Sequence, residues 1–501
     1  MTLNTTGWLL PTGVLRRSQV IGFVSTSALA VAGIGAGAVP KTGAKDVIAS
    51  ELHLMALREN VGLRTVCTLV SYFALFGLLV SWALVGRRLR EVTPGQVLVL
   101  CATWALPLLV APPLFSADIY AYAGQGHLVA NHIDAYVYGP GDYEPTSKWS
   151  FNVDPVWRFS PAPYGPFWLW LTGLAVGLPG NHLVVSIYLI RGLAVLGLAL
   201  LAWSLTRLAT SVGVPVQRAL WITALNPLLL LHGVAGAHND LLMLGLLAAG
   251  LMVTRTRPDL LGLVMGVALV TLAALIKAPA LVALPFVPLL STMARPRWRM
   301  LVVTGVVAAV VSVAVTVATG LGWGWVRVLA DQGSRPSIWS MPWGLRRGLS
   351  SLAGQVFGAG AGSAVDTAVE YGVSALLGIL LVTLWGRALL RRTQPLTAAG
   401  GALLLLFCLS FSEQPWYLAW ALTPLSVTTD RRRIAFLAGF SGALCIYLAP
   451  GGRSWIRPPW FGVPILIAAL IGVAVARWLT PPERVPQLAA STGGYAEVAV
   501  R

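Results

Sequence analysis

The sequence predicts an all-α polytopic membrane protein with about 14 transmembrane helices and short interfacial helices in its outer loops. Three observations carry that prediction. Apolar residues make up 56% of the 501-residue chain, and its 52 glycines lift the share to about two thirds. A soluble protein sits near roughly 45–50% with glycine included. Charged residues are 11% of the chain, too few to coat a globule in water, where about 25% is usual. The apolar residues also fall in runs, and a helix needs about 20 of them to cross a bilayer.

In chain order the runs lie near 20–39, 62–85, 95–115, 183–206, 218–233, 240–254, 259–276, 279–292, 299–319, 369–389, 397–412, 416–429, 433–449 and 460–477. The first follows Arg16 and Arg17. Its apolar core outlasts the roughly 7–15 residues of a cleaved signal, so it is read as a retained span. Gly33, Gly35 and Gly37 within it read as helix-packing contacts, because no strand precedes them to make a phosphate loop. The segment 164–179 is apolar but short and broken by Gly173, Gly177 and Pro179. Positive charge decides its course. If it lies in the interface without crossing, Arg87–Arg90, Arg255 and Arg257, Arg295–Arg299, Arg387–Arg392 and Arg431–Arg433 all fall on the cytoplasmic side. Both termini are then cytoplasmic. Residues 1–480 form a single transmembrane domain with outer loops 116–182 and 320–368, and 481–501 read as a disordered cytoplasmic tail.

Lysine and arginine number 35 against 18 acids. They cluster in short gaps between spans and make no continuous patch interleaved with aromatics, so no nucleic-acid partner is expected. The four cysteines fall one per run without CxxC spacing and read as small apolar residues, not as a disulfide framework or metal site.

The outer loops hold the candidate chemistry. Where the third span emerges, the chain reads Ser116-Ala117-Asp118-Ile119-Tyr120-Ala121-Tyr122, with Gln125 following. If a helix starts at Asp118, Tyr122 and Gln125 share its face at i+4 and i+7. Asp118 is then either an early-turn acid favoured by the helix dipole or a general base at the interface. Prolines and aromatics in Pro155-Val156-Trp157-Arg158 and Pro161-Ala162-Pro163-Tyr164-Gly165-Pro166 suggest a rigid loop, either a sugar-binding surface or a structural cap. Lys277 is one of four lysines in the chain and ends the seventh span on the outer side; Arg191 lies inside the fourth span. Ionisable groups at such depth are paired or functional, so both are candidates for contact with an anionic headgroup. Two outer turns, His238-Asn239-Asp240 and Gln414-Pro415-Trp416-Tyr417, point polar and aromatic groups toward the same side. His232 and His238 are too weak a pair to indicate zinc.

In sequence and order these segments resemble the actinobacterial polyprenyl-phosphomannose-dependent α-(1→6)-mannosyltransferases of lipomannan and lipoarabinomannan synthesis. The matching residues are Ser116–Tyr122, Asp134-Ala135-Tyr136, Gly139-Pro140, Ala162–Pro166, Asn226-Pro227-Leu228, Ala237–Asp240, Lys277 and Gln414–Tyr417. The resemblance implies a GT-C glycosyltransferase of the plasma membrane, with its active site on the outer, periplasmic face. It makes Asp118 the catalytic base for inverting transfer of mannose from polyprenyl-phosphate-mannose to the 6-hydroxyl of a lipid-linked, phosphatidylinositol mannoside-type mannan acceptor. Lys277, Arg191 and Arg158 would hold the donor phosphate. Tyr122, Gln125, Tyr164, His238, Asn239, Asp240, Gln414, Trp416 and Tyr417 would contact sugar. Ala117 stands where several members carry Arg or Lys. No cofactor and no metal are expected, with a divalent ion left open. The rival readings are a GT-C transferase for another lipid-linked sugar, such as arabinofuranose, and a flippase for a lipid-linked sugar.

Overall fold

A computed structural model describes residues 13–38, 47–293, 295–332, 337, 339–428, 430–452 and 462–479; the tail expected at 481–501 lies outside them. The described residues are helical, without a β-sheet. The principal helices are α1 (Val14–Ala36), α2 (Val61–Arg87), α3 (Pro94–Val110), α4 (Asp118–Ala130), α5 (Pro166–Gly177), α6 (Leu183–Ser211), α7 (Asp240–Thr256) and α8 (Leu260–Ala274). They continue with α9 (Arg297–Thr319), α10 (Met341–Phe357), α11 (Ala359–Leu389), α12 (Pro395–Leu409), α13 (Leu418–Leu425), α14 (Arg431–Leu444) and α15 (Val463–Leu479).

Sequence sets the starts. Thr93 and Gln96 form a reciprocal capping box at α3, and Asp259 accepts from Gly262 N at 2.7 Å to start α8. Among the described residues five helices are long and apolar enough to cross a membrane: α1 (from Leu15), α2, α6, α9 and α11. Others expected as single spans are shorter or broken. The run at 218–233 becomes a short helix, Val216–Ile222, and a π-helical stretch, Leu229–Ala235, which meets α7 at a bend of 112°. Between them Asn226 accepts from Leu228 N and donates to Ser441 Oγ at 2.9 Å, so the Asn-Pro pair is a braced break. The run at 279–292 is a 3₁₀ helix, Ala278–Phe286, followed by one turn at Val287–Leu290. Pro285 and Pro288 have no N–H for a continuous ladder. Conversely, α11 begins at Ala359, ten residues before the expected 369, and takes in part of the outer loop expected to end at 368. Its early acids, Asp366 and Glu370, pair with Arg346 of α10 at 2.5 and 3.0 Å.

Segment 164–179 forms α5, 12 residues long. At about 1.5 Å per residue it is too short for a core of about 30 Å. It packs on α4, and its Trp168 and Leu169 are fully buried. Gly165 lets the chain pass the end of α8: a Cβ there would stand 2.2 Å from Leu275 O. The glycines of α1 are packing contacts as read from the sequence, since a Cβ on Gly35 would meet Cys67 Sγ at 2.6 Å. Helix ends near the basic clusters tie to one another: Arg87 lies 4.2 Å over Trp478, Gln217 donates to Leu89 O, and Arg218 donates to Thr428 O.

Helices α6 and α7 cross at Gly197 and Gly245, where a Cβ on Gly197 would stand 2.4 Å from Leu241 backbone. Gly192, five residues earlier on α6, faces open space. Gly197→Ala is therefore expected to destabilise the purified protein by about 1–3 kcal/mol, whereas Gly192→Ala leaves thermal unfolding unchanged or raises it. Equal midpoints for the two variants would contradict this packing.

Candidate functional site

Four breaks in the helical pattern gather at one cavity of about 790 Å³, three of them lining it and the bend before α7 lying behind its wall. They are the extended exit from α3 at Ala111–Ala117, the bend before α7, the 3₁₀ helix after Lys277, and the turn Ser412–Tyr417. Two residues beside them take the left-handed conformation that side chains disfavour, Phe115 (φ 62°) and Ala237 (φ 52°). One aims the chain into Asp118 and the other into His238.

Asp118 is the first residue of α4, as the sequence reading supposed, and lines the cavity. Its backbone N–H donates to Ser116 Oγ at 3.1 Å, and a quarter of its side chain is exposed. Burial disfavours the carboxylate and pushes its pKa up to about 6, with Lys277 and Ser116 opposing. That suits a base near neutral pH. His238 Nδ1 is 3.7 Å from Asp118 Oδ2. The Tyr122 hydroxyl lies 3.3 Å from the same nitrogen and donates to Asn239 Oδ1 at 3.5 Å.

Lys277 also lines the cavity. Its Nζ is 2.7 Å from Asp240 Oδ2 and lies over the rings of Tyr417 and Trp420 at 4.5 and 5.7 Å. Trp420 Nε1 donates to the other Asp240 oxygen at 2.6 Å. Of the sugar-contact candidates, Tyr164, Gln414, Trp416 and Tyr417 line the cavity. Trp416 is packed from behind by His238 and His232, with centroids 4.2 and 4.9 Å away.

The remaining candidates sit elsewhere. Tyr122, Gln125, His238, Asn239 and Asp240 are buried and are not among the described residues lining the cavity; Tyr122, His238 and Asp240 pack directly behind its wall, and Asn239 bonds to Tyr122. Arg191 is buried and donates to Leu109 O, Ala111 O and Ala235 O at 2.9, 2.5 and 3.2 Å. Those bonds turn its guanidinium to backbone instead of a ligand. Arg158 donates to Phe151 O at 2.9 Å and covers the Phe151 ring, outside the cavity lining. Among the described residues no group of three His, Cys, Asp or Glu side chains is arranged to hold a metal ion.

Sequence reasoning missed three parts of the wall. Trp420 had a signal, its place one turn beyond Trp416. An aliphatic strip of Leu281, Val282, Leu377, Leu406 and Leu409 is spread over three elements and indistinguishable in sequence from lipid-facing residues. Trp339 reaches the cavity because Ser337 Oγ donates to Glu413 O and Ser340 Oγ to Ser410 O, strapping this stretch to the turn before Pro415.

Comparison with known proteins identifies the family. The family model described as alpha-(1->6)-mannopyranosyltransferase, N-terminal domain, matches residues 19–295, and the MptB C-terminal domain matches 347–478. Alpha-(1->6)-mannopyranosyltransferase A of Mycobacterium tuberculosis is 30% identical, over 87% of this chain and 86% of its own. The protein of that name from Corynebacterium glutamicum is 27% identical, covering 88% and 94%; alpha-(1->6)-mannopyranosyltransferase B of the same organism is also 27% identical, covering 87% and 77%. The chain belongs to the alpha-(1->6)-mannopyranosyltransferase family and is a mannosyltransferase.

Proposed function

We propose that this mannosyltransferase uses polyprenyl-phosphate-mannose as donor and extends a lipid-linked mannan, of the phosphatidylinositol mannoside type, toward lipomannan and lipoarabinomannan. The observation that carries the reading is the make-up of one cavity wall: Asp118 and Lys277 share it with an aliphatic strip. A carboxylate and an ammonium are what transfer from a phosphate ester requires, and the strip suits a prenyl chain. Residues 1–480 act as one GT-C domain in the plasma membrane, with the cavity at the outer face.

In the reaction the acceptor O6 attacks C1 of the donor mannose while the C1–O bond to phosphate breaks. The configuration inverts from β to α. Asp118 takes the hydroxyl proton, and the bond's electron pair leaves with polyprenyl phosphate. Lys277 stabilises the charge gathering on that phosphate. Tyr164, Gln414, Trp416 and Tyr417 supply hydroxyl, amide and flat apolar faces for the sugar rings. The phosphate ester is itself a good leaving group, so no metal enters the scheme.

Asp118→Asn is expected to lower transfer about 100-fold or more, the usual contribution of a general base, in vesicles given polyprenyl-phosphate-mannose and a mannan acceptor. Transfer from a polyprenyl-phosphate arabinofuranose donor in place of the mannosyl one would overturn the donor assignment.

The pH dependence follows from the Asp118 carboxyl, which holds its proton up to about pH 6. Below that value the protonated acid accepts nothing, so kcat/KM should fall about tenfold per pH unit. Lys277 holds that pKa down, so Lys277→Met should move the acidic limb to higher pH. A flat profile between pH 5 and 8 would contradict Asp118 as base. Chelation with EDTA should leave the rate unchanged; loss of activity restored by Mg²⁺ or Mn²⁺ would require a metal in the scheme.

A further inference from the structure

We propose that Asp240 is a positioning residue that fixes the Lys277 ammonium where the donor phosphate binds; this rests on the reading of Lys277 as the phosphate contact. The family resemblance implies a sugar contact for Asp240, and the geometry points to a different task. Asp240 is 4% exposed and is not among the described residues that line the cavity, whereas its partners Lys277 and Trp420 are. One carboxylate oxygen receives the ammonium at 2.7 Å and the other receives the Trp420 indole N–H at 2.6 Å. The carboxylate is thereby held at both ends, and a ligand in the cavity meets the lysine before it meets the acid.

Lysine needs such a partner. Its charge sits on a flexible four-carbon stem, and an ammonium has three donors pointing in fixed tetrahedral directions. Asp240 engages one of them, leaving two for other acceptors. The rings of Tyr417 and Trp420 flank the ammonium without competing as strong acceptors. Asp240 is itself well held. It opens α7, where the positive end of the helix dipole favours a carboxylate. Lys277 follows the end of α8, with its N–H bonded to Ala273 O at 3.0 Å. The pair therefore joins the start of α7 to the end of α8, and Trp420 adds α13. Loss of the carboxylate frees the lysine to swing, and a mispositioned cation contributes little to a phosphate whose position is fixed elsewhere.

A double-mutant cycle on purified enzyme in lipid nanodiscs tests this, with separate KM values for polyprenyl-phosphate-mannose and for the acceptor. Asp240→Asn keeps an acceptor for Trp420 but removes the ion pair. It is expected to raise the donor KM about tenfold or more, the scale on which breaking a buried charge pair weakens binding, with the acceptor KM unmoved. Lys277→Met should raise the donor KM as well. In the Lys277→Met background, adding Asp240→Asn should change it by less than about twofold, because partners in one network are not additive. If Lys277→Met leaves the donor KM unchanged, the phosphate role of Lys277 fails, and the positioning role with it. If Lys277→Met raises the donor KM but Asp240→Asn does not, or the two effects multiply, the positioning role fails while the phosphate contact stands. Should Asp240→Asn not fold, Asp240→Glu keeps the charge and displaces it by one methylene. A folded Asp240→Glu enzyme is expected to show a raised donor KM, and an unaltered one would overturn the proposal.

Discussion

The cavity exists because backbone carbonyls freed by broken helices find donors inside the protein. In a bilayer an unsatisfied carbonyl costs several kcal/mol, so irregular backbone survives at depth only where protein or a water-filled space receives it. Arg191 meets that requirement for two of the breaks. Its guanidinium bonds Leu109 O and Ala111 O at the end of α3 and Ala235 O at the end of the π-helical stretch. Three residues before it on α6, the Tyr188 hydroxyl donates to Val110 O at 3.1 Å. One turn of α6 thus serves the carbonyls of two broken elements. With those ends fixed, α3 can stop and let the chain turn through Phe115 into Asp118, and the π-helical stretch can turn through Ala237 into His238 and Asp240. A charge in the middle of a span, which the sequence allowed to be either structural or phosphate-binding, is explained by the backbone it serves.

Two carboxylates at the cavity, Asp118 in its wall and Asp240 behind it, sit in different surroundings. Asp240 has a cation and an indole N–H in direct contact. Asp118 has neither at that range: its neighbours are His238 at 3.7 Å, the Ser116 hydroxyl bonded to its own backbone, and the charge of Lys277 acting from farther away. Desolvation therefore dominates at Asp118 and raises its affinity for a proton. The same lysine is paired with one acid and acts on the other only from farther away.

How much of this could be read from the chain alone depends on the range of each interaction. Composition fixed the all-helical membrane class, and local signals located the start of α4 at Asp118, the contacts of Gly35 and the short course of α5. Span boundaries were legible where the apolar run was uninterrupted, as in α2 and α9. They failed where proline or asparagine broke the ladder, at Asn226-Pro227 and at Pro279 to Pro288, since hydropathy is blind to hydrogen-bond continuity. The Ala359–Gly362 run was expected in the outer loop 320–368, yet it opens α11. Of the candidates named from the chain, Asp118, Lys277, Tyr164, Gln414, Trp416 and Tyr417 line one cavity. The links between side chains were not legible. Asp240 and Lys277 are 37 positions apart, and Asp240 and Trp420 are 180 apart. The available clue was the rule that a buried charge must be paired, applied to a chain with very few of them.

The character of the cavity wall follows from the same scarcity of charge. Asp118, Asp154 and Lys277 are its charged members among the described residues, and aliphatic and aromatic side chains make up much of the rest. In such surroundings electrostatic interactions act at low effective dielectric, so one correctly placed ammonium does what several exposed cations would do in water. The same surroundings make misplacement expensive, because no solvent can compensate for a charge that points the wrong way. A site built on one lysine therefore depends on whatever fixes that lysine. Here the fixing groups are a carboxylate at the first turn of one helix, in the layer behind the wall, and an indole on another helix that itself lines the cavity. The helix breaks that make the sequence hard to read as spans are the ones that bring those groups together.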